Sequence, residues 1–249
     1  MKKFACMTSM HQPYYDHIGR HMIESWQKYW PADIDLYLYA EKMNFSSDDP
    51  RIVVVDWDSA CYGGWHEFSK KTDDGNALKF GKKGWASLHG WKNIDAEFII
   101  WLDADLLFSN PINEEVLLKT INKDQLVSLF DTDYQRKEPI RTHWSAESGY
   151  VAVNKLHPEF QNFIKRYEEI YRLDKKPDEI VNWWDNETLM LAAKDFLPHV
   201  HDLSQYRTTN KTQTPMNHSF LGGYMSHFKG KSKKSRTKEE FVNFTKGNL

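Results

Sequence analysis

The most informative stretch of this chain is Phe98-Ile-Ile-Trp-Leu-Asp103-Ala104-Asp105-Leu-Leu-Phe108. Its first half is an unbroken run of large apolar residues, which is typical of a strand buried on both faces of a parallel sheet. The run stops abruptly at Asp103, and a second carboxylate follows after one small residue. Because ligands of open α/β sheets lie beyond the carboxyl ends of the strands, this is where chemistry is expected.

The two carboxylates have two interpretations. In a continuing strand, residues i and i+2 point to the same side, so Asp103 and Asp105 repel each other. A hard divalent cation resolves that repulsion, because oxygen ligands suit Mg²⁺ or Mn²⁺, and such a cation can hold a diphosphate as it leaves. Alternatively, the two acids belong to an ordinary turn and are solvated.

Hydrophobic periodicity divides the rest of the chain into alternating strands and helices. The pattern predicts strands over Phe4–Ser9, Ile34–Ala40, Arg51–Asp56, Glu97–Leu102, Leu126–Phe130 and Gly149–Val153. It predicts helices over Asp16–Tyr29, Ala77–Asn93, Pro158–Leu173 and Asn186–Phe196. The Gly- and charge-rich segment Tyr62–Gly75 is predicted to be a loop. This alternation predicts an α/β fold with a mainly parallel central sheet flanked by helices.

Length and composition exclude several classes of protein. The 249 residues fit one domain, expected over residues 1–235, followed by a polar tail over 236–249. The 33 basic and 35 acidic residues exclude a globally basic nucleic-acid binder. No apolar run reaches the length of about 18 residues that a membrane span needs, and the first residues do not resemble a secretory signal. Cys6 and Cys61 cannot form a disulfide framework, so a cytoplasmic location is expected.

A second candidate segment lies near the end of the chain, at Tyr224-Met-Ser-His227-Phe-Lys-Gly230-Lys-Ser-Lys233. Neutral imidazole is a good ligand for ions such as Mn²⁺. Gly230 lets the backbone approach a phosphate closely, and Lys231 and Lys233 can neutralise the phosphate charge. The same residues also fit a solvated basic tail.

Together, an apolar strand ending in Asp-x-Asp and a late His-x-x-Gly-x-x-Lys resemble the retaining glycosyltransferases related to glycogenin and to lipooligosaccharide galactosyltransferases. The resemblance implies a GT-A, Rossmann-like fold for nucleotide-diphospho-sugar transfer. It implies that Asp103, Asp105 and His227 bind Mn²⁺ (or Mg²⁺). It also implies that Gly230 and Lys233, with Asp103, contact the nucleotide diphosphate. The expected reaction moves a sugar from a UDP-sugar, with retention, to a glycan, lipid-linked or protein acceptor.

Two further segments resemble the wider fold. Lys83-Gly-Trp-Ala-Ser-Leu resembles the donor-side helix whose Lys or Arg faces the sugar nucleotide; the alternative for Lys83 is ordinary helix solvation. Glu147-Ser-Gly-Tyr-Val-Ala-Val-Asn154 resembles the strand that returns beneath the acceptor site. The family usually continues the late motif with Pro-Trp after the lysine, whereas this chain has Lys234-Ser235. The subfamily and the stereochemical outcome therefore stay open.

Two carboxylates are candidates to act on the acceptor. Asp185 opens a predicted helix, where it either binds sugar hydroxyls or caps the helix. Glu147 either binds an acceptor hydroxyl or is a plain loop carboxylate. If the reaction inverts configuration, one of the two must deprotonate the acceptor. If it retains configuration, no strong base is required, because the leaving phosphate can accept the proton.

The loop after the first strand, Thr8-Ser-Met-His-Gln-Pro-Tyr14-Tyr15, lies where the fold implied by the resemblance places a nucleotide base. Backbone groups near Thr8 and a stacked tyrosine are the candidates for base binding. The pattern itself does not choose between the tyrosines, and we assign Tyr15 to the nucleotide. The alternative is a plain loop.

Two other functions fit parts of the sequence. Haloacid-dehalogenase-like phosphatases also place Asp-x-Asp after an apolar strand, with the first Asp as nucleophile. They continue with Thr or Val where this chain has Leu107, and their strand comes first rather than fourth. The second alternative is a catalytically degenerate sugar- or nucleotide-binding protein on the same scaffold. The intact set of Asp103, Asp105 and His227 favours the transferase.

Overall fold

The computed structural model describes residues 1–131, 145–208 and 215–228, and every structural statement below concerns these residues. The strands are β1 (Lys2–His11), β2 (Asp35–Glu41), β3 (Ile52–Asp56), β4 (Ala96–Leu102), β5 (Leu106–Phe108), β6 (Val127–Asp131), β7 (Ala146–Asn154), β8 (Val200–Asp202) and β9 (Met225–His227). The helices are α1 (Gln12–Tyr14), α2 (Arg20–Tyr29), α3 (Trp57–Ser69), α4 (Gly75–Asn93), α5 (Glu114–Thr120), α6 (Phe160–Arg172) and α7 (Asp185–Lys194). A π-helical turn, Tyr15–Gly19, joins α1 to α2, and short 3₁₀ helices cover Leu197–His199, Leu203–Tyr206, Pro215–His218 and Phe220–Gly223.

The central sheet has the strand order β3-β2-β1-β4-β7-β6-β8. Strand β1 is parallel to β2 and β4, β2 is parallel to β3, and β6 is parallel to β8. Strand β7 runs antiparallel to its neighbours β4 and β6. The predicted mainly parallel sheet is confirmed. Because β1 and β4 are parallel neighbours, their carboxyl ends meet at one edge, where the chain enters Asp103 and Asp105.

The central sheet is buried on both faces. Along β4, Phe98, Ile100 and Leu102 belong to one apolar cluster, whereas Ile99 and Trp101 belong to the other. Helix α2 covers the first face, and α4, α6 and α7 cover the second. Two covered faces explain why β4 needs an unbroken apolar run instead of alternating polarity.

The prediction of a loop over Tyr62–Gly75 is wrong for its first half, because α3 continues to residue 69. The helix begins after Asp56, whose side chain accepts a hydrogen bond from the Asp58 N–H. Gly64 faces the ring of Trp85, and a Cβ built on it would lie 2.4 Å from the indole. This glycine therefore permits close packing between α3 and α4; it does not mark a turn.

The other predicted elements agree with the structure to within a few residues at their ends. The helix predicted over Asp16–Tyr29 is divided between the π-helical turn and α2. No helix in the described ranges combines the length and the apolar character that crossing a membrane requires. The tail predicted over residues 236–249 lies outside the described residues.

Candidate active site

A tight turn joins β4 to β5 and carries both aspartates of the Asp-x-Asp motif. The Asp103 N–H donates to the carbonyl of Gly149 on β7 (2.9 Å), and the Leu106 N–H donates to the Asp103 carbonyl (3.0 Å). Strand β5 then pairs with β9, which places Leu106 opposite His227. This two-stranded ribbon brings His227 beside Asp105, although the two residues are 122 positions apart in the sequence.

We call Asp103, Asp105, Glu147 and His227 the histidine cluster. Asp103, Asp105 and His227 each offer one metal-ligand atom, and these atoms lie within 4.8 Å of one another. The Nε2 atom of His227 lies 3.1 Å from Asp105 Oδ1 and 3.5 Å from Asp103 Oδ2. Two carboxylates and one imidazole suit Mn²⁺ or a similar ion. The structure thus brings together the three residues that the sequence singled out as metal ligands.

Glu147 contacts the other nitrogen of the His227 ring. Its Oε1 lies 2.6 Å from His227 Nδ1, and its Oε2 accepts a hydrogen bond from the Met216 N–H (3.0 Å). The Glu147 side chain is 0% exposed. From the sequence, this carboxylate was expected either on an acceptor hydroxyl or in a plain loop. The structure places Glu147 in β7, with both side-chain oxygens engaged inside the protein.

The carboxylates around His227 control its charge. Burial alone would lower the pKa of His227, but the charge of Asp105 and hydrogen bonds to Asp103, Asp105 and Glu147 raise it to about 10. The imidazole is therefore protonated at neutral pH when these carboxylates are its partners. A ligating imidazole must be neutral, so a cation held by the same residues would replace the Nε2 proton.

We call Asp103, Lys83, Ser148 and Asp185 the lysine cluster. The Lys83 ammonium, from α4, donates to Asp103 Oδ1 (2.6 Å) and to both the carbonyl (2.8 Å) and the hydroxyl (2.9 Å) of Ser148. It lies 2.9 Å from Asp185 Oδ2. Lys83 therefore connects the Asp-x-Asp turn, β7 and the first turn of α7. This placement excludes the alternative of ordinary helix solvation.

Contacts within the lysine cluster favour the charged forms of Lys83 and Asp103. Burial alone would lower the pKa of Lys83, but Asp103 and Asp185 outweigh that effect and raise it. Burial would likewise raise the pKa of Asp103, yet Lys83 and His227 hold it well below its usual range. The indole N–H of Trp101 also donates to Asp103 Oδ1 (2.8 Å). Asp103 is thus a carboxylate fixed by partners from three elements.

The first turn of α7 does not use Asp185 as its cap. The helix begins at Asp185, and Trp184 at the N-cap position makes no side-chain capping bond. Glu187 instead accepts hydrogen bonds from the backbone N–H groups of Val181 (2.6 Å) and Asn182 (2.9 Å). Asp185 is therefore available to pair with Lys83, which decides against the capping alternative.

A cavity of about 430 Å³ opens at this edge of the central sheet. Its volume is within the range of about 300–1,000 Å³ that is typical of small-molecule sites. Met10 near the end of β1, Glu41 at the end of β2, and Asp103 and Asp105 after β4 all line it. The cavity therefore lies beyond the carboxyl ends of three parallel strands. Lys83 and Asp185 complete this part of its wall.

The loop after β1 contributes differently from the prediction. Tyr14 lines the cavity, whereas Thr8 and Tyr15 do not. Thr8 is 0% exposed, and Tyr15 packs edge-on against Phe45, with ring centroids 5.4 Å apart. Burial, then the charges of Asp105 and Asp103, raise the pKa of Tyr14, whose hydroxyl hydrogen-bonds Asp105. Of the two candidate tyrosines, the structure thus places Tyr14 at the cavity.

An aromatic wall of the cavity was missed by the sequence analysis. Trp57 and Trp65 from α3 line it, and their indole N–H groups donate to the carbonyls of Lys82 (3.2 Å) and Leu78 (3.0 Å). The Lys82 ammonium lies 5.0 Å from the Trp65 ring centroid and pairs with Glu41. The spacing of Trp57, Cys61, Trp65 and Phe68 was the available signal, because it is helical.

Three predicted diphosphate contacts, Gly230, Lys231 and Lys233, lie outside the described residues. The described chain stops one residue after His227, at Phe228, whose N–H donates to the Asp105 carbonyl (3.2 Å). Their roles stay predictions.

Comparison with known proteins identifies the fold. No protein-family model and no curated protein sequence matches the chain. The structure of the galactosyltransferase LgtC with donor and acceptor sugar analogues matches with a TM-score of 0.60 at 12% identity, over 97% of this chain and 95% of that one. The bifunctional glycosyltransferase WbbM matches with a TM-score of 0.63 at 14% identity, over 98% of this chain and 50% of that one. Mouse xyloside xylosyltransferase 1 gives 0.51 at 12% identity, over 81% and 85%. The chain therefore has the GT-A glycosyltransferase fold that its motifs predicted.

Proposed function

We propose that this protein is a metal-dependent glycosyltransferase that takes a sugar from a nucleoside-diphosphate sugar. The observation that carries the proposal is the position of the histidine cluster. Its three potential ligand atoms lie within 4.8 Å of one another, and Asp103 and Asp105 line the cavity at the carboxyl ends of the parallel strands. In a sheet of this kind, that is where a nucleotide is expected.

Asp103, Asp105 and His227 would hold the cation, with Mn²⁺ or Mg²⁺ as the candidates. When bound, such an ion supplies positive charge against a departing diphosphate. Tyr14 holds Asp105 by a hydrogen bond. Lys83 holds Asp103 in the same way. We keep Gly230, Lys231 and Lys233 as proposed diphosphate contacts, with a UDP-sugar as the proposed donor.

The sugar end of the donor would lie near the lysine cluster, since Lys83 and Asp185 both line the cavity. Asp185 suits hydrogen bonding to sugar hydroxyls, because Lys83 holds its carboxylate in place. Neither of the two carboxylates considered as a base for inversion suits that role in the described part of the chain: Glu147 is engaged inside the protein, and Asp185 is paired with Lys83. This arrangement favours retention, with the leaving phosphate accepting the proton from the acceptor.

The phosphatase alternative requires an Asp103 carboxylate that is free to attack a phosphorus atom. One of its oxygens accepts hydrogen bonds from both Lys83 and Trp101, and the other lies 3.5 Å from His227. These contacts suit a fixed ligand better than an attacking carboxylate.

A panel of nucleotide sugars tests the proposal. The purified protein is given UDP-, GDP-, CMP- and dTDP-sugars with Mn²⁺, Mg²⁺ or a chelator, and binding and slow hydrolysis are measured. We expect one nucleotide to bind only with metal, and hydrolysis to disappear in Asp105→Asn but persist in the matched exposed variant Asp33→Asn. Metal-dependent binding without turnover of any sugar would favour the sugar- or nucleotide-binding alternative. An absence of metal-dependent binding to all four would overturn the proposal.

A further inference from the structure

His227 is held in place more completely than a surface ligand would be. The Asn217 side chain brackets its backbone: Oδ1 accepts from the His227 N–H (2.7 Å), and Nδ2 donates to the His227 carbonyl (3.0 Å). The His227 ring lies against β7, where a Cβ built on Gly149 would be 2.4 Å from His227 Cε1. The backbone and one face of the ring are therefore fixed before any ligand binds.

Glu147 fixes the orientation of the His227 ring. Glu147 Oε1 lies 2.6 Å from His227 Nδ1. When Glu147 is an ionised carboxylate it can only accept, so this contact then places a hydrogen on Nδ1. The other nitrogen, Nε2, then faces Asp103 and Asp105. Glu147 is itself anchored, because its second oxygen accepts the Met216 N–H (3.0 Å).

We propose that Glu147 is a positioning residue, which selects the His227 tautomer with Nδ1 protonated and presents Nε2 to the cation. This inference rests on the metal site of the proposed function. It assigns Glu147 no contact with donor or acceptor, in keeping with its complete burial. Carboxylate partners of this kind orient ligating histidines and make them more basic, and losing one typically costs about 10–100-fold in metal affinity.

The test measures Mn²⁺ binding to the full chain without any nucleotide, by electron paramagnetic resonance and calorimetry. Glu147→Gln is expected to weaken Mn²⁺ binding about 10–100-fold. Glu147→Asp keeps the charge but withdraws it by one methylene, and is expected to weaken binding in the same direction. Glu187→Gln is the matched control, because Glu187 is also a buried carboxylate that accepts backbone N–H groups. The control is expected to bind Mn²⁺ like the wild type.

A second readout separates positioning from a general structural role. In Glu147→Gln, saturating Mn²⁺ is expected to restore the maximal rate of donor hydrolysis to within about threefold of the wild-type rate. The reason is that only the dissociation constant for Mn²⁺ has changed. In the wild-type protein with diamagnetic Mg²⁺, nitrogen NMR of His227 is expected to show a protonated Nδ1 and an unprotonated Nε2. This measurement needs no variant, so the opposite tautomer would overturn the proposal even if the substitutions prevent folding.

The possible outcomes separate a failure of the proposed metal site from a failure of the role proposed for Glu147. If the wild type binds no Mn²⁺, the metal site of the proposed function fails. If the wild type binds Mn²⁺, Asp105→Asn does not, and folded Glu147→Gln binds with unchanged affinity, then the metal site stands and the role of Glu147 is overturned. The opposite histidine tautomer would also overturn it.

Discussion

The histidine cluster and the lysine cluster share Asp103 and lie at the same edge of the sheet, yet they balance charge differently. In the lysine cluster, an ammonium on the chain itself lies between two carboxylates, and Ser148 satisfies its remaining donors. In the histidine cluster, three carboxylates converge on one imidazole. The first arrangement resembles a permanent structural ion pair, whereas the second acquires a full positive charge only when a proton or a cation is present.

Counting charges over both clusters sharpens this difference. Four carboxylates (Asp103, Asp105, Glu147 and Asp185) face two cations, Lys83 and protonated His227, which leaves −4 + 2 = −2. A divalent cation that replaces the imidazole proton adds one net positive charge, so it would reduce this surplus to −1. The surplus negative charge therefore lies in the histidine cluster. Substitutions in that cluster are expected to affect metal binding.

The largest expected effect comes from Asp105→Asn. The variant keeps the shape of the side chain but removes a ligand charge from the histidine cluster. We expect metal-dependent donor hydrolysis to fall by at least about a thousandfold, equivalent to about 4 kcal/mol. Because like charges are relieved, the melting temperature should stay the same or rise. A variant with near wild-type hydrolysis at the same Mn²⁺ concentration would refute the assignment of the cation to this cluster.

Lys83→Met affects the other cluster, and its main expected effect is on stability. Removing the ammonium leaves the buried Asp185 without its cation and takes one partner from the partly exposed Asp103, which costs about 3 kcal/mol in the free energy of unfolding. Urea unfolding measures this loss, and adding Asp185→Asn should recover part of it. Mn²⁺ binding should persist in both variants. If Lys83→Met abolished Mn²⁺ binding while the protein remained folded, the division between the clusters would not hold.

Gly149→Ala tests the contact between β7 and the His227 ring. The new methyl would lie 2.4 Å from the ring, so the ring must move. Overpacking of this kind costs about 1–3 kcal/mol in stability, and the displaced ligand should also weaken Mn²⁺ binding. Gly63→Ala is the control, because no atom lies within 4 Å of its added methyl. Equal behaviour of the two alanine variants in thermal unfolding and Mn²⁺ titration would argue against a rigid histidine.

The smallest expected effect concerns an ion pair outside both clusters. Hydrogen bonds from Arg51 lower the pKa of Asp49 from 3.8 to about 2. A lowered pKa contributes stability above the unfolded value, and this stability is lost as pH falls through about 4 towards 2. After allowance for solvent screening, Asp49→Asn should cost about 1 kcal/mol at pH 6. Urea unfolding at pH 6 and pH 3 should show that cost shrinking, with no change in Mn²⁺ binding at pH 7.

The sequence predicted the parts of the fold that local patterns specify. The apolar run before Asp103 located a strand buried on both faces, and the alternation of elements predicted the mainly parallel sheet. The glycines of Tyr62–Gly75 indicated a loop, but Gly64 lies within α3, where the packing of Trp85 requires a residue without a side chain. That requirement lies on another helix, so local composition does not reveal it.

The residues of the candidate site could be predicted where they belong to a recognisable sequence motif. They could not be predicted where their role depends on long-range contacts. Asp103, Asp105 and His227 were singled out from the Asp-x-Asp and His-x-x-Gly-x-x-Lys motifs together with the family resemblance that these motifs carry. The burial of Glu147 behind His227 depends on the pairing of β5 with β9, and the choice of Tyr14 over Tyr15 depends on how the turn after β1 winds. Both depend on where the fold places these residues against parts of the chain that are distant in sequence.

A crystal structure of the protein with Mn²⁺ and UDP, from data collected near the manganese absorption edge, would test the proposed metal site most directly. We expect one strong anomalous peak within coordination distance of Asp103, Asp105 and His227 Nε2, with the nucleotide in the adjoining cavity. A manganese peak elsewhere, or nucleotide bound outside that cavity with these three residues uncoordinated, would contradict it.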